Sequence, residues 1–147
     1  MKAITICQPY AYLITLPAGH PHAKRVENRT WETFHRGLIL IHAGKSREWE
    51  ATWPHVDEID PRDLHYGAIV AAATLIACPH VSQVRAFDPA KPLGWVRDHL
   101  HTEGPFCWVL YEVRPLAVPI PCPGAQGLWT VTQTAVLQRL AAEGITH

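Results

Sequence analysis

Hydrophobic and polar positions alternate from the start of the chain. Lys2-Ala-Ile-Thr-Ile-Cys7 has a period of two and is β-branched, which predicts a strand. Gln8-Pro9 breaks it. The apolar spacing of Tyr10 to Ile14 then predicts a short helix from about Pro9 to Leu16, stopped by Pro17-Ala-Gly-His-Pro21. Arg25 to Trp31 is polar and extended. Leu38 to His42 is a buried strand, entered through Gly37 and left through Gly44. Ser46 stands where an N-cap would, and Arg47 to Trp53 predicts a helix ended by Pro54. His55 to His65 is polar and irregular. Gly67 to Cys78 is the longest predicted strand, and its small residues point to close backbone packing in a barrel.

The second half is less regular. Pro79 to Gly104 reads as a long excursion with one helical turn around Leu93 to His99. Phe106 to Val113 is a clear strand. Pro115 to Pro123 contains four prolines and must be an edge strand or an extended connector. Leu128 to Val131 is a short strand. Thr132 to Glu143 carries apolar residues at helical spacing and closes the chain as a helix stopped by Gly144. Five or six short strands, with connections too long for simple hairpins, predict an α+β fold: a small mixed β-barrel with flanking helices packed outside it, spanning 1–147 as one domain.

Composition narrows the function. A chain of 147 residues suits one core. No apolar run reaches the ~20 residues of a membrane helix, and the opening residues lack a secretory leader pattern, so a cytoplasmic location is expected. The 13 basic and 13 acidic side chains cancel, which argues against broad coating of duplex DNA but leaves room for a small basic cleft. Cys7, Cys78, Cys107 and Cys122 are far apart and read as small apolar residues. His20-x-His22, His99-x-His101 and Cys78-x-His80 each offer two metal ligands, but none has the four-ligand spacing of a structural site. The expectation is surface histidine, with no metal and no cofactor.

Three clusters can carry chemistry. The first is Lys24, Arg25, Glu27, Asn28, Arg29 and Trp31. On an extended segment Arg25, Glu27, Arg29 and Trp31 share one face, with Val26 turned into the core. The arrangement fits either a solvated edge strand with an internal salt bridge or a wall that grips a phosphate or base edge, with Trp31 stacking on a base. The second is His42-Ala-Gly-Lys-Ser46, which reads as a strand-to-helix turn. There Lys45, Ser46 and backbone N–H groups can form an anion site or simply cap a helix. The third is Gly124-Ala-Gln-Gly127, where two glycines let the backbone approach a ligand and Gln126 can read a base edge. Gln8 offers a further amide or a helix cap.

These clusters occur in an order that resembles the ASCH family of the PUA-like superfamily. The similarity rests on Ile4 to Ala11, Lys24 to Trp31, Arg36 to Lys45, Gly67 to Ala71 and Gly124 to Trp129. The family pattern Gly-x-Lys-x-x-Glu-x-Arg is met at Lys24, Glu27 and Arg29, with His22 in place of the glycine. The resemblance implies a PUA-like barrel whose cleft binds RNA, a nucleotide or a modified nucleoside. Carried over, it implies a cleft lined by Lys24, Glu27, Arg29, Trp31 and Lys45, with Gln8 and Gln126 beside them. Some branches of the family resemble enzymes, namely a single-strand ribonuclease and an amidohydrolase acting on N4-acetylcytidine. For an enzyme, the acid–base candidates are Lys24, Glu27 and His42. The amidohydrolase branch needs a hydroxyl three residues after its lysine, where this chain has Glu27. It also needs a carboxylate on a strand, which Gly67 to Cys78 lacks. A third expectation is a protein-interaction adaptor that engages partners through 79–104.

Overall fold

A computed structural model describes residues 1–146. Six strands form one mixed sheet: β1 (Lys2–Ile6), β2 (Val26–Arg29), β3 (Gly37–Ala43), β4 (Ala68–Ala77), β5 (Phe106–Pro121) and β6 (Leu128–Thr130). Their order across the sheet is β2-β5-β4-β3-β1-β6. Among the described residues only β1 and β3 run parallel; every other pair is antiparallel. The sheet curls into a half-barrel. Four short helices accompany it: α1 (Tyr10–Thr15), α2 (Val81–Val84), α3 (Trp95–Asp98) and α4 (Thr134–Ala142).

Strand alternation builds two cores. Ile4, Ile6, Ile39, Ile41, Leu75 and Trp108 gather on one face, where Ala11 and Ile14 of α1 pack against them. Ala3, Leu40, Ile69 and Ile120 gather on the other, under Val136 and Leu140 of α4. The two helices thus cover opposite faces of the sheet.

Three expectations change. Arg47 to Trp53 forms no α-helix; the chain makes a 3₁₀ turn at Glu50–Thr52, followed by two more at Val56–Glu58 and Pro61–Asp63. The segment is too short to be helical alone, and only Trp53 of it is buried, against Leu13 and Ile59. Phe106 to Val113 and the proline-rich stretch after it form one strand rather than two. β5 stays paired with β4 to Pro121 through three shifts of register, one of them near Glu112 at φ 47°. β2 pairs only with Phe106 to Val109 of β5, so the prolines fall where β5 has no neighbour on that side. The excursion 79–104 is packed rather than protruding. Val84 and Val96 are buried against Val26, Cys107 and Val109, so Val26 points into a small core that the excursion itself creates.

Candidate functional site

The segment around β2 divides into two environments. Lys24 is 3% exposed. Its Nζ donates to the Val26 carbonyl at 2.6 Å and lies 3.2 Å from Glu27 Oε1, 5.7 Å from the Tyr10 ring centroid. The other carboxylate oxygen, Glu27 Oε2, accepts from Arg29 Nη2 at 2.9 Å, and that Nη2 also donates to the Thr5 carbonyl at 2.8 Å. Alternation along β2 puts Glu27 and Arg29 on the same face. One buried carboxylate between two cations leaves one positive charge in excess, and Arg29 presents it. The Arg29 Nε is buried without a partner among the described residues.

Arg25 does not share that face. β2 begins one residue after it, and its guanidinium turns back to donate to the Ile14, Leu16 and Lys24 carbonyls, closing the C-terminal end of α1. Asn28 points away from Glu27. Its Nδ2 donates to the His101 carbonyl, and its Oδ1 accepts from the Glu103 and Gly104 amides. It therefore fastens the excursion to β2.

Beyond Arg29 opens a cleft of ≈ 700 Å³. Arg29, Trp31, His42, Lys45 and Gln126 line it, with Thr5, Cys7 and the Pro123–Gly127 loop. Lys24 and Glu27 do not; their side chains are enclosed behind Arg29. The Trp31 ring stands edge to face on buried Trp108, with centroids 4.8 Å apart, and the Trp108 Nε1 donates to the Trp31 carbonyl. The stem of Lys45 runs over Gly67, where a Cβ would come within 2.9 Å of Lys45 Cε. Gly67 also has φ +64°, a conformation glycine adopts without strain.

His42 is the floor of the cleft and is fully bonded. Its Nε2 lies 2.8 Å from the Cys122 carbonyl, which can only accept, so Nε2 carries the proton. Its Nδ1 therefore accepts from the Thr5 hydroxyl at 3.2 Å, and that hydroxyl oxygen accepts from Trp129 Nε1 at 3.1 Å. Burial holds the imidazole below its ordinary pKa, which favours this neutral tautomer. Gly124 lies directly over the ring; a Cβ there would be 2.5 Å from His42 Cε1. The Cys7 thiol is pushed up by burial and by Glu48, so it stays protonated at neutral pH.

Two further candidate residues lie outside the cleft. Gln8 is buried, with Nε2 donating to the His65 carbonyl at 2.8 Å and Oε1 accepting from the Tyr12 amide at 2.9 Å; its role is the capping one. Ser46 is exposed and accepts from the Glu48 amide at 3.4 Å. With no helix following it, the helix-terminus anion site expected there does not form. Sequence reasoning missed Thr5 and Cys7. The signal for Thr5 lay in register alone, since β1 and β3 pair it with His42.

No family model matches the sequence, and no curated protein matches it. Solved structures do. The ASCH protein of Zymomonas mobilis superposes with a TM-score of 0.53 at 17% identity, over 96% of this chain and 93% of that one. A point variant of the same ZmASCH protein superposes with a TM-score of 0.52, again at 17% identity, over 96% of both chains. The chain has the ASCH-domain fold. Within this ASCH-type frame the Lys24–Glu27–Arg29 triad forms the inner support of the cleft, and Arg29 is the one member that reaches its lining.

Proposed function

We propose that the protein binds single-stranded RNA or a nucleotide in the cleft between β2 and the 123–127 loop. The observation that carries this reading is the presence of Arg29, Lys45, Trp31 and Gln126 in one opening of ≈ 700 Å³, within the usual size range of ligand pockets. Arg29 and Lys45 take phosphate oxygens. The Trp31 ring, held in place by Trp108, supplies a stacking surface. Gln126, in a loop whose Gly127 has φ +69°, offers both a donor and an acceptor to a base edge.

Binding accounts for the geometry better than turnover does. Proton transfer needs a group with a nitrogen or oxygen available to the substrate. Lys24 and Glu27 are spent on each other, on Arg29 and on a backbone carbonyl. Both nitrogens of His42 are bonded within the fold.

The test is fluorescence polarisation of a labelled single-stranded RNA oligonucleotide at low salt, with nucleoside monophosphates as competitors. Saturable binding is expected. Trp31→Ala should weaken it roughly tenfold or more, the value of one stacked base. Lys45→Ala should flatten the salt dependence by about 0.7 in the log–log slope. Absence of saturable binding to either kind of ligand would overturn the reading, as would affinities untouched by both substitutions.

A further inference from the structure

Away from the cleft, three ligating side chains meet on the surface. His22 lies between α1 and β2, His55 immediately precedes the 3₁₀ turn Val56–Glu58, and Glu58 is that turn's last residue. A 3₁₀ turn stacks positions three apart on one face, so His55 and Glu58 face the same way. Glu58 Oε2 lies 3.3 Å from His55 Nδ1 and 3.7 Å from His22 Nε2. One ligating atom from each residue falls within 4.8 Å of the other two.

These contacts differ from those of other histidines in the fold. The rings of His35, His42, His80, His99 and His101 are each held by a hydrogen bond. Among the described residues the ring nitrogens of His22 and His55 make none, and the His22 Nδ1 is buried without a partner. The two rings are instead stacked, centroids 4.8 Å apart, with Trp53 against an edge of each. The fold therefore assembles two imidazoles and a carboxylate beside an apolar wall without using their nitrogens internally.

We infer that His22, His55 and Glu58 form a binding site for a late first-row divalent cation such as zinc, independent of the nucleotide cleft. Metal–ligand bonds of about 2.0–2.2 Å at tetrahedral angles hold ligand atoms about 3.4 Å apart. The separations of 3.3 and 3.7 Å to Glu58 Oε2 fall close to that edge. The rings are 28° from parallel, so closing on one ion takes a rotation of His55 about its side-chain torsions, which its exposure permits. Two imidazoles with one carboxylate favour zinc, nickel or copper over calcium or magnesium. Water, or His20 beside His22, completes the shell. The bound ion would tie the loop before β2 to the loop between β3 and β4.

The test is isothermal titration of zinc into the full chain after chelator treatment, with cobalt absorption as a second readout. One equivalent should bind in the micromolar range and give the visible bands of tetrahedral cobalt. His55→Ala and Glu58→Gln, both at exposed positions, should each weaken binding at least about tenfold, while His65→Ala leaves it unchanged. Circular dichroism confirms that each variant is folded. Zinc affinity no tighter than millimolar overturns the proposal, and so does affinity unchanged in both variants. In either variant, cobalt bands of wild-type strength count against it as well.

Discussion

The two ends of the Lys24 to Trp31 segment share a polar character in sequence and have opposite fates in the fold. At the first end, Lys24 and Glu27 are buried, and their hydrogen-bonding capacity is used up inside the protein. At the second, Arg29 lines a cleft beside Trp31. A charged residue is available to a ligand only to the extent that the fold has left its donors unsatisfied. Lys24 is therefore placed to support the fold, and Arg29, Trp31 and Lys45 line the opening proposed to bind a ligand.

Lys24→Ala should break this contrast most forcefully. It leaves Glu27 enclosed with one cation instead of two, and removal of one partner from a buried pair costs about 3 kcal/mol. Urea denaturation should show a drop of that size; a change under about 0.5 kcal/mol would mean that Lys24 is not structural. Asn28→Ala tests the opposite face of the same strand. It removes three hydrogen bonds to the 101–104 backbone and should cost about 2 kcal/mol. Hydrogen exchange should rise at Glu103 and Gly104, whose amides Asn28 accepts. Unchanged protection would show that the apolar contacts alone hold the excursion.

A pH series probes the buried histidines. His42, His99 and His101 are all held below their ordinary value, chiefly by burial, with His99 lowered to about 4. For a base with a depressed folded pKa, the unfolded chain binds more protons, so stability rises with pH in that window. Their contribution is complete above about 6.5, the ordinary histidine value, and is lost as pH falls from there toward 4. The melting temperature should accordingly fall between pH 7 and pH 5, and His99→Gln should fall less. Equal slopes would exclude His99 as a source. The smallest effect sharpens the other side of the comparison. Lys45→Ala should alter stability by less than about 0.5 kcal/mol, since the residue is exposed, while still weakening RNA binding. A large loss of stability would move Lys45 into the same class as Lys24.

Much of the fold was legible in the sequence. Period-two runs bounded by glycine and proline located β1, β3, β4 and β6 to within about a residue, whereas β5 was read as two pieces, although its prolines marked its unpaired side. What escaped prediction depended on partners distant in sequence. Nothing local distinguishes Arg25, which turns to α1, from Arg29, which turns to the cleft. The failed helix at Arg47 to Trp53 had a plausible cap and a stop but too little apolar surface to be held. Of the candidate site, the residue types were readable and their availability was not. Gln8, Lys24 and His42 are all satisfied internally, by the His65, Val26 and Cys122 carbonyls.

The pairing of β6 with β1 brings Trp129 onto Thr5 across 124 positions of sequence. At ribosomal speeds of about 5–20 residues per second, the first strand waits roughly 6–25 s for that neighbour to be made. Throughout that interval one edge of β1 is bare and the cleft has a floor but lacks its far wall. A nascent chain halted before the 123–127 loop would thus present a sticky strand edge and an open-sided cleft, so one late stretch of chain both covers that edge of β1 and completes the pocket.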